Sequence, residues 1–142
     1  MIKFSETGRK LRDGIIPAGT TVWKKLLGNY IVQMIVLGDG IIPTTLRKQI
    51  SNRKGKIAIK TNFFRYTAFR KCRVPKVYVV SIDIDGVLDD APHCSNEDTT
   101  FYYKTGSIVT PNNGFDPNPD EICTAGIHCF LTRKEAENYD WQ

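Results

Sequence analysis

Two aspartates follow an apolar, strand-like segment and are the first candidates for chemistry. Asp83 and Asp85 lie in the stretch SIDIDGVLDD (residues 81–90), directly after the apolar residues 77–80. Carboxylates serve as nucleophiles and as general acids or bases. Asp85 is also followed by Gly86, and an Asp-Gly pair after a strand is typical of a turn. The spacing therefore leaves two interpretations, a catalytic motif and a turn.

The stretch D-I-D-G-V resembles the first motif of the haloacid-dehalogenase-like phosphotransferases. The resemblance implies a nucleophilic Asp83, an acid/base Asp85 and a bound Mg²⁺. That family also needs a helix soon after the motif and a downstream lysine at the phosphoryl group. Here a loop-like segment follows Gly86, and only 56 residues remain in which to build further βα units. The sequence therefore favours the turn and assigns no catalytic residue, metal or cofactor.

A second candidate site mixes cations with aromatic rings in FFRYTAFRKCRVPK (residues 63–76). Arginine forks bind phosphate oxygens in pairs, and aromatic faces stack on bases. The segment therefore suits a nucleotide or a nucleic-acid strand. In the alternative, the rings belong to the core and the cations form a solvated face. The predicted phosphate ligands are Arg65, Arg70, Lys71 and Arg73, and the predicted stacking residues are Tyr66 and Phe69.

A third candidate lies in CTAGIHCFLTRKEAENY (residues 123–139). The residues TRKE (132–135) fit the capping box that begins a helix. Exposed N–H groups in the first turn of a helix attract anions. His128 is either a hydrogen-bond donor to a ligand or a structural histidine. The predicted ligand contacts in this segment are Thr124, His128, Thr132 and Arg133.

The stretches RKCRVPKVYVVSI (70–82) and CTAGIHCFLTRKEAENY together resemble a domain of unknown function found in phages and large DNA viruses, often attached to pentapeptide repeats. The resemblance covers about residues 20–139 and implies a viral origin without a settled activity. Cys129 departs from it, because the family pattern is aromatic there.

The residues GIHCF (126–130), followed by Ala136 and Tyr139, are also similar to the G-I-Y-F-A…S-x-x-Y segment of ADP-ribosyltransferases. That family's H-G-T strand and late catalytic glutamate have no evident counterpart here. The likeness implies an NAD or ADP-ribose pocket more readily than transferase chemistry.

The elements that must position these residues are mostly strands. The patterns predict strands over 20–27 and 30–37 joined by a Gly28-Asn29 turn, and further strands over 56–60, 77–84 and 127–131. Short strands are expected around Thr105-Gly106, loops over 85–100 and 110–121, and a helix after Thr132. Because strands do not alternate with long helices, we expect a single α+β domain over residues 1–142. It would be strand-rich, with a mostly antiparallel sheet and one or two helices including a C-terminal one.

Charge is divided unevenly along the chain. Residues 1–76 hold 17 Lys/Arg and 3 Asp/Glu, a net charge of +14, whereas residues 77–142 hold 3 and 12, a net charge of −9. Such asymmetry suits an anionic partner, or oppositely charged surfaces that meet. Homo-oligomers are therefore expected. No apolar run approaches a membrane span and the start lacks a signal peptide, so a cytoplasmic protein is expected, in the host cell if it is phage-encoded.

The four cysteines do not fit a standard metal motif. Cys72, Cys94, Cys123 and Cys129 contain no C-x-x-C pair. In a cytosolic chain, reduced and mostly packed thiols are the simpler expectation, and a zinc site completed by His93 or His128 is the alternative.

The sequence thus predicts a non-enzymatic phage or viral binding protein that captures an anionic small ligand such as a nucleotide or cyclic nucleotide. It would sequester a host anti-phage signal. Two alternatives stay open: an enzyme acting on NAD or ADP-ribose, and a virion or nucleic-acid-associated structural module.

Overall fold

The structure is a computed structural model that describes residues 14–43, 71–119, 121 and 124–139. The predicted strand over 56–60 lies outside these residues. The elements in chain order are β1 (Ile15–Ile16), β2 (Thr21–Lys25), β3 (Ile31–Val36), β4 (Gly40–Ile41), β5 (Cys72–Val74), β6 (Val77–Ile84), β7 (Val87–Leu88), β8 (His93–Cys94), β9 (Tyr102–Tyr103), β10 (Ile108–Val109), β11 (Ile127–Cys129) and α1 (Arg133–Asn138).

The strands form antiparallel sheets. One sheet has the order β1-β4-β5-β11, and the other has the order β10-β6-β3-β2, with β7 also paired to β6. Strands β8 and β9 form a separate ribbon. A bridge between Trp23 and Phe130 joins β2 to the end of β11. The strand-rich, mostly antiparallel character and the short C-terminal helix agree with the expected α+β class.

The core lies between the sheets because side chains alternate along each strand. Val32, Met34 and Val36 of β3 are fully buried and belong to one large apolar cluster, which the first sheet joins through residues such as Ile16 and Val74. The same alternation in β2 turns Val22 and Lys24 inward. A lysine thus occupies a core-facing position.

Helix α1 covers part of the opposite face of the second sheet. Ile31, Phe130 and Ala136 form a second buried cluster, with Trp23 and Tyr139 packed against it. The Thr132 hydroxyl accepts a hydrogen bond from the Glu135 N–H and donates one to the Glu135 carboxylate. The predicted capping box is confirmed, and the helix ends at Asn138.

Two turns settle questions left by the sequence. Leu26 N–H donates to the Tyr30 carbonyl, so the β2–β3 hairpin closes over three residues, 27–29, rather than two. Asp85 and Gly86 both have positive φ, 52° and 84°, and join β6 directly to β7. This is the geometry of a type I′ hairpin turn. The turn interpretation of Asp85-Gly86 is confirmed, whereas the loop expected over 85–100 contains two short strands, β7 and β8.

The two short strands expected around Thr105-Gly106 exist but do not pair with each other. Strand β9 pairs with β8, and β10 pairs with β6. The Thr105-Gly106 turn signal does not reveal this choice, because β9 pairs with a strand eight to ten residues before it and β10 pairs with one about 30 residues before it. No helix in the described ranges is long and apolar enough to cross a membrane.

Candidate ligand-binding cleft

A cleft of about 340 Å³ opens where the second sheet meets two irregular loops. Its floor comes from β2 and β9, and its walls come from the segments after β8, after β10 and before β11. The lining residues are Lys24, Ser95, Glu97, Asp98, Phe101, Tyr103, Pro111, Asn112, Asn113, Thr124, Ala125, Gly126, Ile127 and His128.

Lys24 forms the charged part of the floor. Its Nζ donates to Glu97 Oε1 at 3.3 Å and to the His128 carbonyl at 3.0 Å. Burial lowers the pKa of Lys24, and the neighbouring Glu97 carboxylate acts against that effect. Burial pushes the pKa of Glu97 upward, but Lys24 and the Ser95 hydroxyl, which donates at 2.7 Å, bring it below its usual value. Lys24 and Glu97 therefore each stabilise the charged form of the other.

His128 lies in the cleft as a neutral imidazole. Its Nε2 is 2.7 Å from the Thr124 carbonyl, and since a carbonyl can only accept, Nε2 carries the proton. Burial lowers the pKa of His128 to about 4, with Lys71 and Lys24 contributing in the same direction. The Nε2 proton of His128 is thus committed to Thr124, as in the structural interpretation, and Nδ1 is an acceptor; a ligand contact of His128 stays a prediction.

Arg73 holds the loop that forms one wall. Its side chain is fully buried, and its guanidinium donates to the carbonyls of Asp116, Asn118 and Glu121 at 2.6–3.1 Å. Gly126 packs closely on it, because a Cβ there would lie 3.2 Å from the Arg73 side chain. Backbone carbonyls thus occupy the fork of Arg73, which supports the loop from behind the cleft; its predicted phosphate contact stays a prediction.

Thr124 fixes the other end of this loop. Its hydroxyl donates to Asp116 Oδ2 at 3.0 Å, and Asp116 N–H donates to the Ala125 carbonyl at 2.9 Å. The Asn118 N–H, assisted by Thr124, lowers the pKa of Asp116. Thr124 lines the cleft as expected, but its hydroxyl proton is committed to the loop.

The remaining predicted ligand residues lie elsewhere or have other partners. Lys71 is buried with its Nζ 5.6 Å from the centre of the Tyr139 ring. The Thr132 hydroxyl and the Glu135 carboxylate already cap α1, so the expected anion site is filled by the chain itself. Arg133 binds the carboxylates of Asp83 and Glu137. The residues Arg65, Tyr66, Phe69 and Arg70 lie outside the described ranges.

Sequence reasoning missed several residues of the cleft. Lys24 carried a usable signal, since it is a lysine at an inward position of an alternating strand. Glu97, Asp98 and Asn112 sit in loops rich in such residues. Their side chains become neighbours only through the pairing of β8 with β9 and of β10 with β6.

The cysteines do not assemble a metal site within the described residues. Cys72 and Cys129 are opposite each other on β5 and β11, with their sulfurs 3.9 Å apart. No group of three or more His, Cys, Asp or Glu residues suited to a metal occurs in the part of the chain that the structure covers. Cys123, which the zinc alternative required, lies outside it.

Comparison with known proteins identifies a family and a viral relative. Residues 4–136 match the model of a family of unknown function, DUF5758. A stretch of 89 residues is 39% identical to "Uncharacterized protein L223" of Acanthamoeba polyphaga mimivirus. The match covers 60% of this chain and 56% of that protein, so the chain spans about half the length of this curated relative. No solved structure matches.

Proposed function

The chain belongs to the family DUF5758, and we propose that it is a viral ligand-binding protein whose cleft captures a small molecule of nucleotide size. The cleft between Lys24, the Asn112 loop and His128 is the observation that carries the proposal. Its volume of about 340 Å³ falls within the range of small-molecule sites, about 300–1,000 Å³. A polymer would need an extended groove instead.

Internal bonds hold the cleft before a ligand arrives. Arg73 fixes the loop wall, Thr124 closes it onto Asp116, and the Lys24–Glu97 pair fixes the floor. A site whose walls are already ordered loses less conformational entropy when it binds. This rigidity supports capture of a small ligand.

The lining supports binding more than conversion. Ser95, which lines the cleft and whose hydroxyl donates to the Glu97 carboxylate, is only 3% exposed. His128 is neutral, and its proton is bonded to a backbone carbonyl. A catalytic pair needs a nucleophile that can reach its substrate. We therefore propose capture without turnover, in which a virus sequesters a host defence nucleotide in the cytoplasm, with homo-oligomers as the working form.

The test is to identify what the protein holds. Purified full-length protein is denatured and the released small molecules are identified by mass spectrometry, beside a thermal-shift screen of nucleosides, nucleotides and cyclic nucleotides. We expect an unmodified ligand that raises the melting temperature. A product that differs from the added ligand would support the NAD or ADP-ribose enzyme instead.

A blocking variant tests whether the cleft is the site. Asn112→Trp places a large ring at the exposed rim and should abolish the thermal shift. Asn138→Trp makes the same substitution at the exposed end of α1, outside the lining residues, and should keep it. If neither variant changes binding, the ligand lies elsewhere. Salt-sensitive binding of DNA or RNA without small-molecule binding would favour the nucleic-acid-associated module.

A further inference from the structure

Building on the proposed function, we infer that the cleft receives the hydroxyl-bearing and amine-bearing end of a nucleotide, its ribose and base, and leaves the phosphate outside. Some hydrogen-bonding groups on the described walls already have partners within the protein, and others do not. The hydroxyl donors of Ser95 and Thr124 and the ammonium of Lys24 are used internally, whereas the carboxylates of Glu97 and Asp98 are exposed.

Three side-chain donors of the cleft, those of Ser95, Thr124 and Lys24, have internal acceptors. The Ser95 hydroxyl donates to Glu97, and the Thr124 hydroxyl donates to Asp116. The Lys24 ammonium donates to Glu97 and to the His128 carbonyl. A phosphate is an acceptor and needs such donors, so these groups would have to leave their partners to bind it.

The acceptors are less occupied. Glu97 has a side chain that is 45% exposed, and its described side-chain hydrogen bonds all reach Oε1 rather than Oε2. Asp98 is exposed, with Oδ1 held by Thr100 and Oδ2 3.4 Å from the Asn112 amide. An ionised carboxylate only accepts hydrogen bonds, and so does the unprotonated Nδ1 of His128. The matching ligand groups are hydroxyls and amines.

Charge acts in the same direction. The described lining holds two carboxylates and one ammonium, and His128 is neutral. Lys71 also lies close enough to lower the pKa of His128, so the charged side chains in and beside the cleft offer a phosphate no excess of cations. Phe101 contributes an apolar ring that is fixed edge-on against Tyr103 at 5.2 Å. Carboxylates for the ribose diol and a fixed ring for the base suit a nucleoside.

The test compares ligands that differ by single groups on the full-length protein, by isothermal titration and thermal shift. The probes are the four ribonucleosides, their 2′,3′-dideoxy analogues, their 5′-monophosphates, inorganic phosphate and spermidine. We expect one ribonucleoside to bind. Its dideoxy analogue should bind at least tenfold more weakly, because hydrogen bonds from hydroxyls to carboxylates are among the stronger ones. Its monophosphate should bind within about threefold of the nucleoside, because the phosphate stays outside the cleft.

Each contrary result has a distinct meaning. Equal affinity for the nucleoside and its dideoxy analogue would overturn the ribose assignment and keep the proposed function. Binding of the monophosphate or of inorganic phosphate without the nucleoside would overturn the orientation. Binding of spermidine alone would show a site for cations and overturn the nucleoside. Failure of every probe, together with no retained ligand, would overturn the proposed function itself.

Two variants locate the contact. Asp98→Asn keeps an oxygen for the Thr100 bonds and removes the charge, so it should weaken nucleoside binding by tenfold or more without unfolding. Glu97→Gln should do the same, although it also removes the partner of the buried Lys24 and its folding must be checked by circular dichroism. Asp90→Asn is the matched control, an exposed aspartate outside the lining, and should bind as the wild type does. Unchanged affinity in Asp98→Asn and Glu97→Gln would overturn the inference.

Discussion

Asp83 and Arg133 form a two-bonded ion pair that ties the first residue of α1 to strand β6. Arg133 NH1 and NH2 donate to the two oxygens of Asp83 at 2.8 and 2.6 Å. The hydrogen bonds from Arg133 hold the pKa of Asp83 below its usual value, against the effect of burial. The carboxylate that resembled a phosphotransferase nucleophile therefore fastens the helix to the sheet.

Asp83→Asn should destabilise the protein by about 1–2 kcal/mol. The amide nitrogen of asparagine is a donor, as the guanidinium is, so one of the two hydrogen bonds to Arg133 is lost. The loss is smaller than for a fully buried pair, because 36% of the Arg133 side chain is exposed and solvent screens the attraction between the two charges. Urea denaturation measures the difference. Asp85→Asn is the matched control, because asparagine tolerates the positive φ there. Equal losses in both variants would contradict the assigned role of the pair.

Stability should fall as the pH drops from 6.5 to about 4, and His128 is the cause. Burial lowers the pKa of His128 from 6.5 to about 4, so in this window the unfolded chain binds a proton that the folded chain does not. The linked loss is about 3 kcal/mol when complete. A series of urea titrations between pH 4 and 7.5 measures it. His128→Gln should flatten this window, and an unchanged slope would show that another group titrates.

A second loss of stability should follow at lower pH from the carboxyl groups. The pKa of Asp83 is below its ordinary value of 3.8, so its contribution is present above 3.8 and is lost as the pH falls through the folded pKa. Acid titrations of wild type and Asp83→Asn below pH 4 should converge. Curves that stay parallel would argue against this linkage.

Arg73→Met should destabilise the protein by about 2–4 kcal/mol, because it leaves three partly buried loop carbonyls without their donor. Arg73→Lys retains the charge but loses the fork, so it should recover only part of that loss. Urea denaturation measures both. Lys76→Met removes an exposed cation near Arg73 and should change stability by less than about 0.5 kcal/mol. Full recovery with lysine would mean that charge, and not the fork, holds the loop.

Gly40→Ala should destabilise the protein more than Gly106→Ala does. A Cβ at Gly40 would lie 2.5 Å from both the Arg73 carbonyl oxygen and Val74 Cγ1, so β4 and β5 would have to separate. We expect a loss of about 3 kcal/mol. Gly106 has a φ of +85° and nothing within 4 Å of a Cβ, so only backbone strain of about 1 kcal/mol applies. Thermal denaturation compares them, and equal losses would contradict the close approach.

Local signals predicted the local structure well. Strand β6 over residues 77–84, the turn at Gly28-Asn29 and the cap at Thr132 all follow from neighbouring residues, and the structure has them. Strands β7 and β8 were missed because two-residue strands show no period. The Asp-Gly pair predicts a turn, but Val87–Leu88 is too short to predict the strand that follows it.

Partners of charged side chains have no such local signal, because an arginine has the same sequence signature whether its partner is a phosphate or the chain itself. Arg73 and Arg133 were expected to bind an anion, yet loop carbonyls and carboxylates occupy them. The acceptors Glu97 and Asp98 lay in a stretch that was interpreted only as loop.

The sequence by itself determined the strand-rich class, the positions of the main turns and the start of α1, since these depend on interactions between residues a few positions apart. Only the tertiary structure decided which cations are used internally and which carboxylates face the cleft. Lys24 meets Glu97 across 73 residues and His128 across 104. Such contacts follow from strand pairing and burial, which no local pattern specifies.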